Sequence, residues 1–199
     1  MTTNPHRFRA AIEAFDAANG EDPNMEVWED RPFPKELLYA RRMTLWLDRL
    51  APDAAEVVRL AVRAQHICRW KVPRSDYPRD REGYRRWRTD LGGIHAETAG
   101  RILGKVGYDD ETIARVQSLL RKQRLKADPD CQLLEDVACL VFLEFYFSDF
   151  TRQHDEDKLI NILRRTWQKM SERGRQAALG LELSDADRSL VEKAIAGQE

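Results

Sequence analysis

Residues 131–147 read CQLLEDVACLVFLEFYF, and as a helix this stretch is apolar on almost every side. Such a helix is typical of a protein interior, so we predict a central, buried helix over residues 130–149. Asp136 shares one face of that helix with Leu140 and Leu143. A buried carboxylate needs a cation, a metal ion or strong hydrogen-bond donors, because taking its charge out of water is costly. Asp136 is therefore a candidate site residue.

Apolar residues at helical spacing continue on both sides of this stretch. They predict further helices over residues 93–106, 110–123 and 155–170, among others, and two short helices close the chain. The segment 20–34 has four prolines and glycines and predicts an ordered loop. No segment shows the strict alternation of a β-strand. We therefore predict an all-α, single-domain bundle of about eight or nine helices.

Three parts of this single domain are predicted from the same patterns. They are an N-terminal helix and loop (1–34), a core (35–170) and C-terminal helices (171–199). The 199 residues carry a net charge of −1, which gives no global signature of a nucleic-acid or membrane binder. No window is long and apolar enough for a membrane span, and the first residues lack a secretory signal. Three cysteines without CxxC spacing predict no disulfide framework, so we expect a cytoplasmic protein.

The segment 69–88, RWKVPRSDYPRDREGYRRWR, concentrates positive charge. This segment contains eight basic residues and three acidic ones. Seven of the eight basic residues are arginines, whose guanidinium groups can bind phosphate through two parallel hydrogen bonds. Four aromatic residues are interleaved with them and could stack on a base. One interpretation is a site for an anionic ligand, phosphate above all. One alternative is a solvent-exposed surface whose arginines form ion pairs with acidic residues. A surface that binds nucleic acid is a less favoured alternative.

Two histidines flank this basic segment. His66 is predicted to end one amphipathic helix and His95 to open the next, so that both could face one cleft. Two neutral imidazoles and the carboxylate of Asp136 could hold one divalent metal ion. Alternatively, the histidines are satisfied, partly buried side chains and Asp136 forms a structural ion pair with an arginine.

Roughly residues 36–180 resemble an uncharacterised family of bacterial, fungal and plant proteins, a domain of unknown function. The strings that carry the resemblance are AQHICRWKVPRSDYP, REGYRRWR, IHAE, LEDVACLVFLE and KLINILRRTWQKMS. They are long and specific, and the resemblance implies no known reaction.

The order of elements is also distantly similar to the all-α, HD-type metal-dependent phosphohydrolases. His66 matches the histidine of their His-Asp pair, His95 a following histidine, and Asp136 the final aspartate. Ile67 stands where the aspartate of the pair belongs, and Tyr39 and Arg41 stand where a first histidine is expected. The resemblance implies an HD-like fold with a degraded metal motif.

Three functions follow as hypotheses. The first is a phosphohydrolase for a nucleotide or another phosphorylated ligand, with His66, His95 and Asp136 as catalytic and metal-binding residues for Mn²⁺, Co²⁺, Zn²⁺ or Mg²⁺. The second is a non-catalytic binder of a phosphorylated ligand or RNA, and the third is a helical interaction scaffold. The predicted substrate-binding residues are Arg69, Trp70, Arg74, Tyr77, Arg86, Arg88 and Lys122.

Overall fold

A computed structural model describes residues 4–196 of the chain. Those residues are mostly helical, as predicted, and they form ten α-helices where eight or nine were expected. The chain divides into two compact units, Met1–Arg124 (unit 1) and Leu125–Glu199 (unit 2). The segment 35–170, predicted as the core, therefore contributes residues to both units.

Unit 1 contains five helices and a hairpin. In chain order these are α1 (Pro5–Gly20), β1 (Met25–Trp28), β2 (Arg31–Pro34), α2 (Lys35–Leu50), α3 (Glu56–Arg63), α4 (Arg81–Val106) and α5 (Asp110–Leu120). Two 3₁₀ turns, Arg69–Lys71 and Arg74–Asp76, lie between α3 and α4. The largest buried side chains of this unit come from all five helices and the turn after α3. They include Phe15, Leu38, Met43, Leu60, Ile67, Leu103 and Leu119.

The hairpin corrects the prediction of a loop over 20–34. Strands β1 and β2 pair antiparallel, with Trp28 opposite Arg31. Glu29 and Asp30 both have positive φ, 49° and 60°, which is the geometry of a tight two-residue hairpin turn. Such turns normally use Asn or Gly, so their sequence signal was absent here.

Helix α4 begins much earlier than predicted. Asp80 caps it by accepting a hydrogen bond from the backbone N–H of Gly83. The second half of the basic segment is therefore its first turns, and His95 lies in the middle of the helix rather than at its start. Helix α3 ends at Arg63, so His66 lies in the turn that follows it and does not end the helix.

Unit 2 contains α6 (Pro129–Val141), α7 (Phe147–Thr151), α8 (Glu156–Lys169), α9 (Glu172–Leu179) and α10 (Asp185–Ile195). The predicted central helix is α6 and α7 joined by one π-helical turn, Phe142–Tyr146. Leu134, Val137 and Leu140 on α6 are fully buried, which confirms the interior position inferred from the sequence. No helix of the described residues is both long and apolar enough to cross a bilayer.

Candidate functional site

A cavity of about 460 Å³ lies within unit 1. It is lined by the turn after α3, the middle of α4 and the segment that follows α5. Its lining includes Gln65, His66, Arg88, His95, Arg121 and Lys122. The charged side chains among its described lining residues are all cationic, so the cavity offers a positive environment.

Helix α4 supplies one wall because of its residue spacing. Arg88, Gly92 and His95 lie four and three residues apart and so share one helical face. Gly92 and Gly93 leave a stretch of this wall without side chains, between Arg88 and His95. A Cβ added at Gly93 would meet nothing within 4 Å, which leaves open space beside the helix.

His95 is buried, with 4% of its surface exposed. Its Nδ1 lies 2.8 Å from the carbonyl oxygen of Ile67, which can only accept, so Nδ1 carries the proton of the neutral ring. The Nε2 atom is then an acceptor, and within residues 4–196 it has no hydrogen-bond partner. Burial, above all, lowers the pKa of His95 to about 3, so the imidazole is neutral at physiological pH.

His66 is held in the turn between two neighbouring rings. It stacks on Tyr39 with ring centroids 4.0 Å apart, and the His95 ring is 5.9 Å away. Burial, followed by the positive charges of Arg69 and Arg88, lowers the pKa of His66 well below its usual value. Both histidines of the cavity are therefore neutral, and neither adds to its charge.

Glu36 is a site residue that the sequence analysis did not identify. It is buried in the first turn of α2, and its Oε2 lies 3.4 Å from Nδ1 of His66. Burial raises the pKa of Glu36 to about 7, and the nearby Arg69 guanidinium opposes that rise. Its sequence gives little sign of this, since Glu36 is simply an acidic residue two positions after Pro34.

At pH values well below its pKa of about 7, Glu36 is mostly protonated and can donate a hydrogen bond to Nδ1 of His66. The Nη1 atom of Arg69 lies 3.4 Å from the same Nδ1, and a guanidinium nitrogen can only donate a hydrogen bond. The proton of the neutral His66 ring is then on Nε2. The pair of imidazoles thus supplies one N–H donor and one acceptor nitrogen.

The segment after α5 brings further cations to the cavity in a strained conformation. Lys122 and Arg124 have φ values of 53° and 65°, in the left-handed region that favours glycine. A hydrogen bond from the backbone N–H of Lys122 to the carbonyl of Leu119, 2.9 Å, holds the first of these turns. Such strain persists only where surrounding contacts fix it, and it is frequent at binding sites.

Of the seven predicted substrate-binding residues, Arg88 and Lys122 line the cavity and Arg69 contacts His66 from beside it. Arg74 has a different role, because its guanidinium donates to the carbonyls of Tyr77 and Pro78 and so closes the loop before α4. The remaining three, Trp70, Tyr77 and Arg86, are not among the described residues that line the cavity.

Asp136 belongs to unit 2, where its carboxylate binds Ser171, the N-cap residue of α9. It accepts hydrogen bonds from the backbone N–H of Ser171 at 2.8 Å and from Nε2 of Gln132 at 3.0 Å, and also from the Ser171 hydroxyl. These donors provide the compensation that a buried carboxylate requires. Within residues 4–196, no three His, Cys, Asp or Glu side chains are grouped so that they could hold a metal ion.

Comparison with known proteins gives a family and no function. No curated protein and no solved structure matches this chain. The model of one family, a domain of unknown function (DUF4202), matches residues 9–191. That match covers nearly all of both units, including the whole cavity lining and Asp136. The chain therefore belongs to the DUF4202 family.

Proposed function

We propose that unit 1 binds a phosphorylated small molecule in the cavity between His66, His95 and the cations after α5. One observation carries the proposal. Among the described residues that line the cavity, the charged ones are Arg88, Arg121 and Lys122, so its charged lining is entirely cationic. The buried Nε2 of His95 is an acceptor without a partner among the described residues, which favours a bound molecule that carries a hydrogen-bond donor in addition to its phosphate.

The chemistry of the lining suits a phosphate group. Arg88 and Arg121 offer planar guanidinium donors, and Lys122 adds a third positive charge. Both imidazoles are neutral, so the anion meets no protonated histidine and the cations alone balance its charge. The volume, about 460 Å³, falls within the range of small-molecule sites.

Isothermal titration of the full chain with inorganic phosphate and with glycerol 3-phosphate tests the proposal. We expect saturable binding of both that Arg88→Ala weakens at least tenfold, since a charge-assisted contact is lost. Arg85→Ala is the matched control, because Arg85 is exposed on the same helix and does not line the cavity. Equal losses in the two variants, or no binding by the wild-type chain, would show that the cavity is not a phosphate site.

A second candidate function is hydrolysis of a phosphate ester in the same cavity. It is favoured by the cationic lining, because Arg88, Arg121 and Lys122 can stabilise the negative charge that develops on a phosphoryl group during its transfer to water. Phosphate release from a panel of phosphomonoesters, with and without added Mn²⁺, Co²⁺, Zn²⁺ or Mg²⁺, tests this function. A rate that Arg88→Ala lowers and Arg85→Ala leaves unchanged supports it, whereas ligand binding without turnover under every condition supports a non-catalytic binder.

A further inference from the structure

The part of the cavity lining that carries no charge is rich in hydrogen-bonding groups. Gln65, Thr89 and Gln123 line it together with the side-chain-free surface of Gly92 and Gly93. Hydroxyl and amide groups of this kind recognise polar, hydroxylated ligands through directed hydrogen bonds. A bare phosphate would leave these groups without any role.

Gln65 is the most informative of the three. Only 6% of its surface is exposed, and its Oε1 atom has no hydrogen-bond partner in the described part of the chain. An amide oxygen accepts hydrogen bonds, and so does Nε2 of His95 in the tautomer fixed by Ile67. Two buried acceptors without donors are complemented by ligand hydroxyl groups rather than by further anionic oxygens.

The aromatic rings among the described lining residues are the imidazoles of His66 and His95, and Tyr39 already stacks on one face of His66. None of the described lining residues is Phe, Tyr or Trp. The aromatic residues of the neighbouring basic segment are used elsewhere: Trp87 donates from Nε1 to the carbonyl of Val72, and the Tyr77 hydroxyl donates to Asp90. Stacking on such rings is the usual source of base affinity, and this cavity lacks it.

We infer that the ligand is a phosphorylated polyhydroxy compound, of the sugar-phosphate class, which is held by its hydroxyl groups as well as its phosphate. This inference rests on the proposed phosphate site and specifies its ligand. The phosphate contacts the cations on α4 and after α5. The hydroxyl groups donate to Gln65 and His95, and a base, where present, contributes nothing to binding.

The test compares ribose 5-phosphate, adenosine 5′-monophosphate and inorganic phosphate by isothermal titration on the full chain. We expect ribose 5-phosphate to bind at least tenfold more tightly than inorganic phosphate and no less tightly than the nucleotide. Gln65→Met keeps the side-chain length and removes only the unpaired amide. The affinity of this variant for ribose 5-phosphate should be about fivefold lower than that of the wild type, which is the value of one hydrogen bond. Inorganic phosphate should bind this variant unchanged.

Gln153→Met, an exposed glutamine of unit 2, is the matched control and should leave all three affinities unchanged. Tighter binding of the nucleotide than of ribose 5-phosphate, or an indifferent Gln65→Met, would overturn the sugar-phosphate assignment and leave the phosphate site standing. Absence of binding by all three compounds would overturn the phosphate site itself.

Discussion

Glu36 is a carboxyl group whose ionisation the fold opposes. Its pKa rises from 4.5 to about 7 because it is buried, so the folded protein holds this proton more tightly than the unfolded chain does. A carboxyl of this kind destabilises the fold as pH rises from 4.5 to 7, by at most about 3 kcal/mol. His66 and His95 act in the opposite sense, since their lowered pKa values cost stability as pH falls below 6.5.

Glu36→Gln should therefore stabilise the protein relative to the wild type, and more at pH 8 than at pH 5. The substitution removes only the carboxyl, so the two histidine contributions largely cancel in the comparison. Urea unfolding followed by tryptophan fluorescence gives both values, and four of the five tryptophans lie in unit 1. A stability difference between variant and wild type that is the same at the two pH values would contradict this account of Glu36.

Asp136→Asn should destabilise unit 2 by about 2 kcal/mol, because an amide nitrogen would face the donors at Ser171. Asp149→Asn is the control, since Asp149 and its partner Arg152 are both exposed and such pairs contribute little. Thermal unfolding measures both variants, and phosphate titration should show unchanged binding in each. Loss of phosphate binding in Asp136→Asn would instead assign this carboxylate to the ligand site.

At the scale of elements, the loop before α4 packs closely against that helix at Gly83. A Cβ at Gly83 would lie 2.2 Å from the carbonyl oxygen of Pro78, so Gly83→Ala forces the loop and helix apart. We expect a loss of about 2 kcal/mol from this crowding. Gly93→Ala, in the same helix with open space around it, should gain up to about 1 kcal/mol from helix propensity. Similar effects of the two substitutions on urea unfolding would show that this contact is not tight.

Helix positions were largely predictable because apolar periodicity is a local property. Helices α5 and α8 follow the predicted ranges 110–123 and 155–170 closely. The hairpin was missed because its turn uses Glu29 and Asp30, residues that give no turn signal. The start of α4 was missed because its first turns are basic and exposed, and their helical form depends on the Asp80 cap and on Trp87, the buried side chain among them.

The candidate site was predictable only in part, because residue type can be read from the sequence and burial cannot. His66, His95, Arg88 and Lys122 were identified by residue type, and the structure brings them to one cavity. Glu36 and Gln65 were missed because their importance arises from burial, which depends on contacts between distant segments. Asp136 was identified correctly as buried, but its donors at Ser171 lie 35 residues away, and helical periodicity cannot indicate such a contact.

At the scale of the whole molecule, net charge gives no attraction for an anion. The chain carries −1 overall, so affinity for phosphate depends on the local cations of the cavity. Arg88 and Arg121 are exposed and Lys122 is half-buried, and mobile ions screen such charges over about 10 Å at 0.1 M salt. Raising the salt from 20 to 200 mM should weaken phosphate binding severalfold in titration calorimetry. An affinity independent of salt would contradict binding by these cations.

The histidines provide the most direct measurement, because two of the four line the cavity. Nuclear magnetic resonance of ¹⁵N-histidine-labelled protein, titrated with ribose 5-phosphate, reports all four imidazoles at once. We expect saturable shifts of His66 and His95, unchanged His6 and His154, and smaller shifts at the same ligand concentration in Gly93→Leu, whose side chain enters the cavity and weakens binding. Unshifted His66 and His95 resonances, or equal shifts in Gly93→Leu, would contradict ligand binding in this cavity.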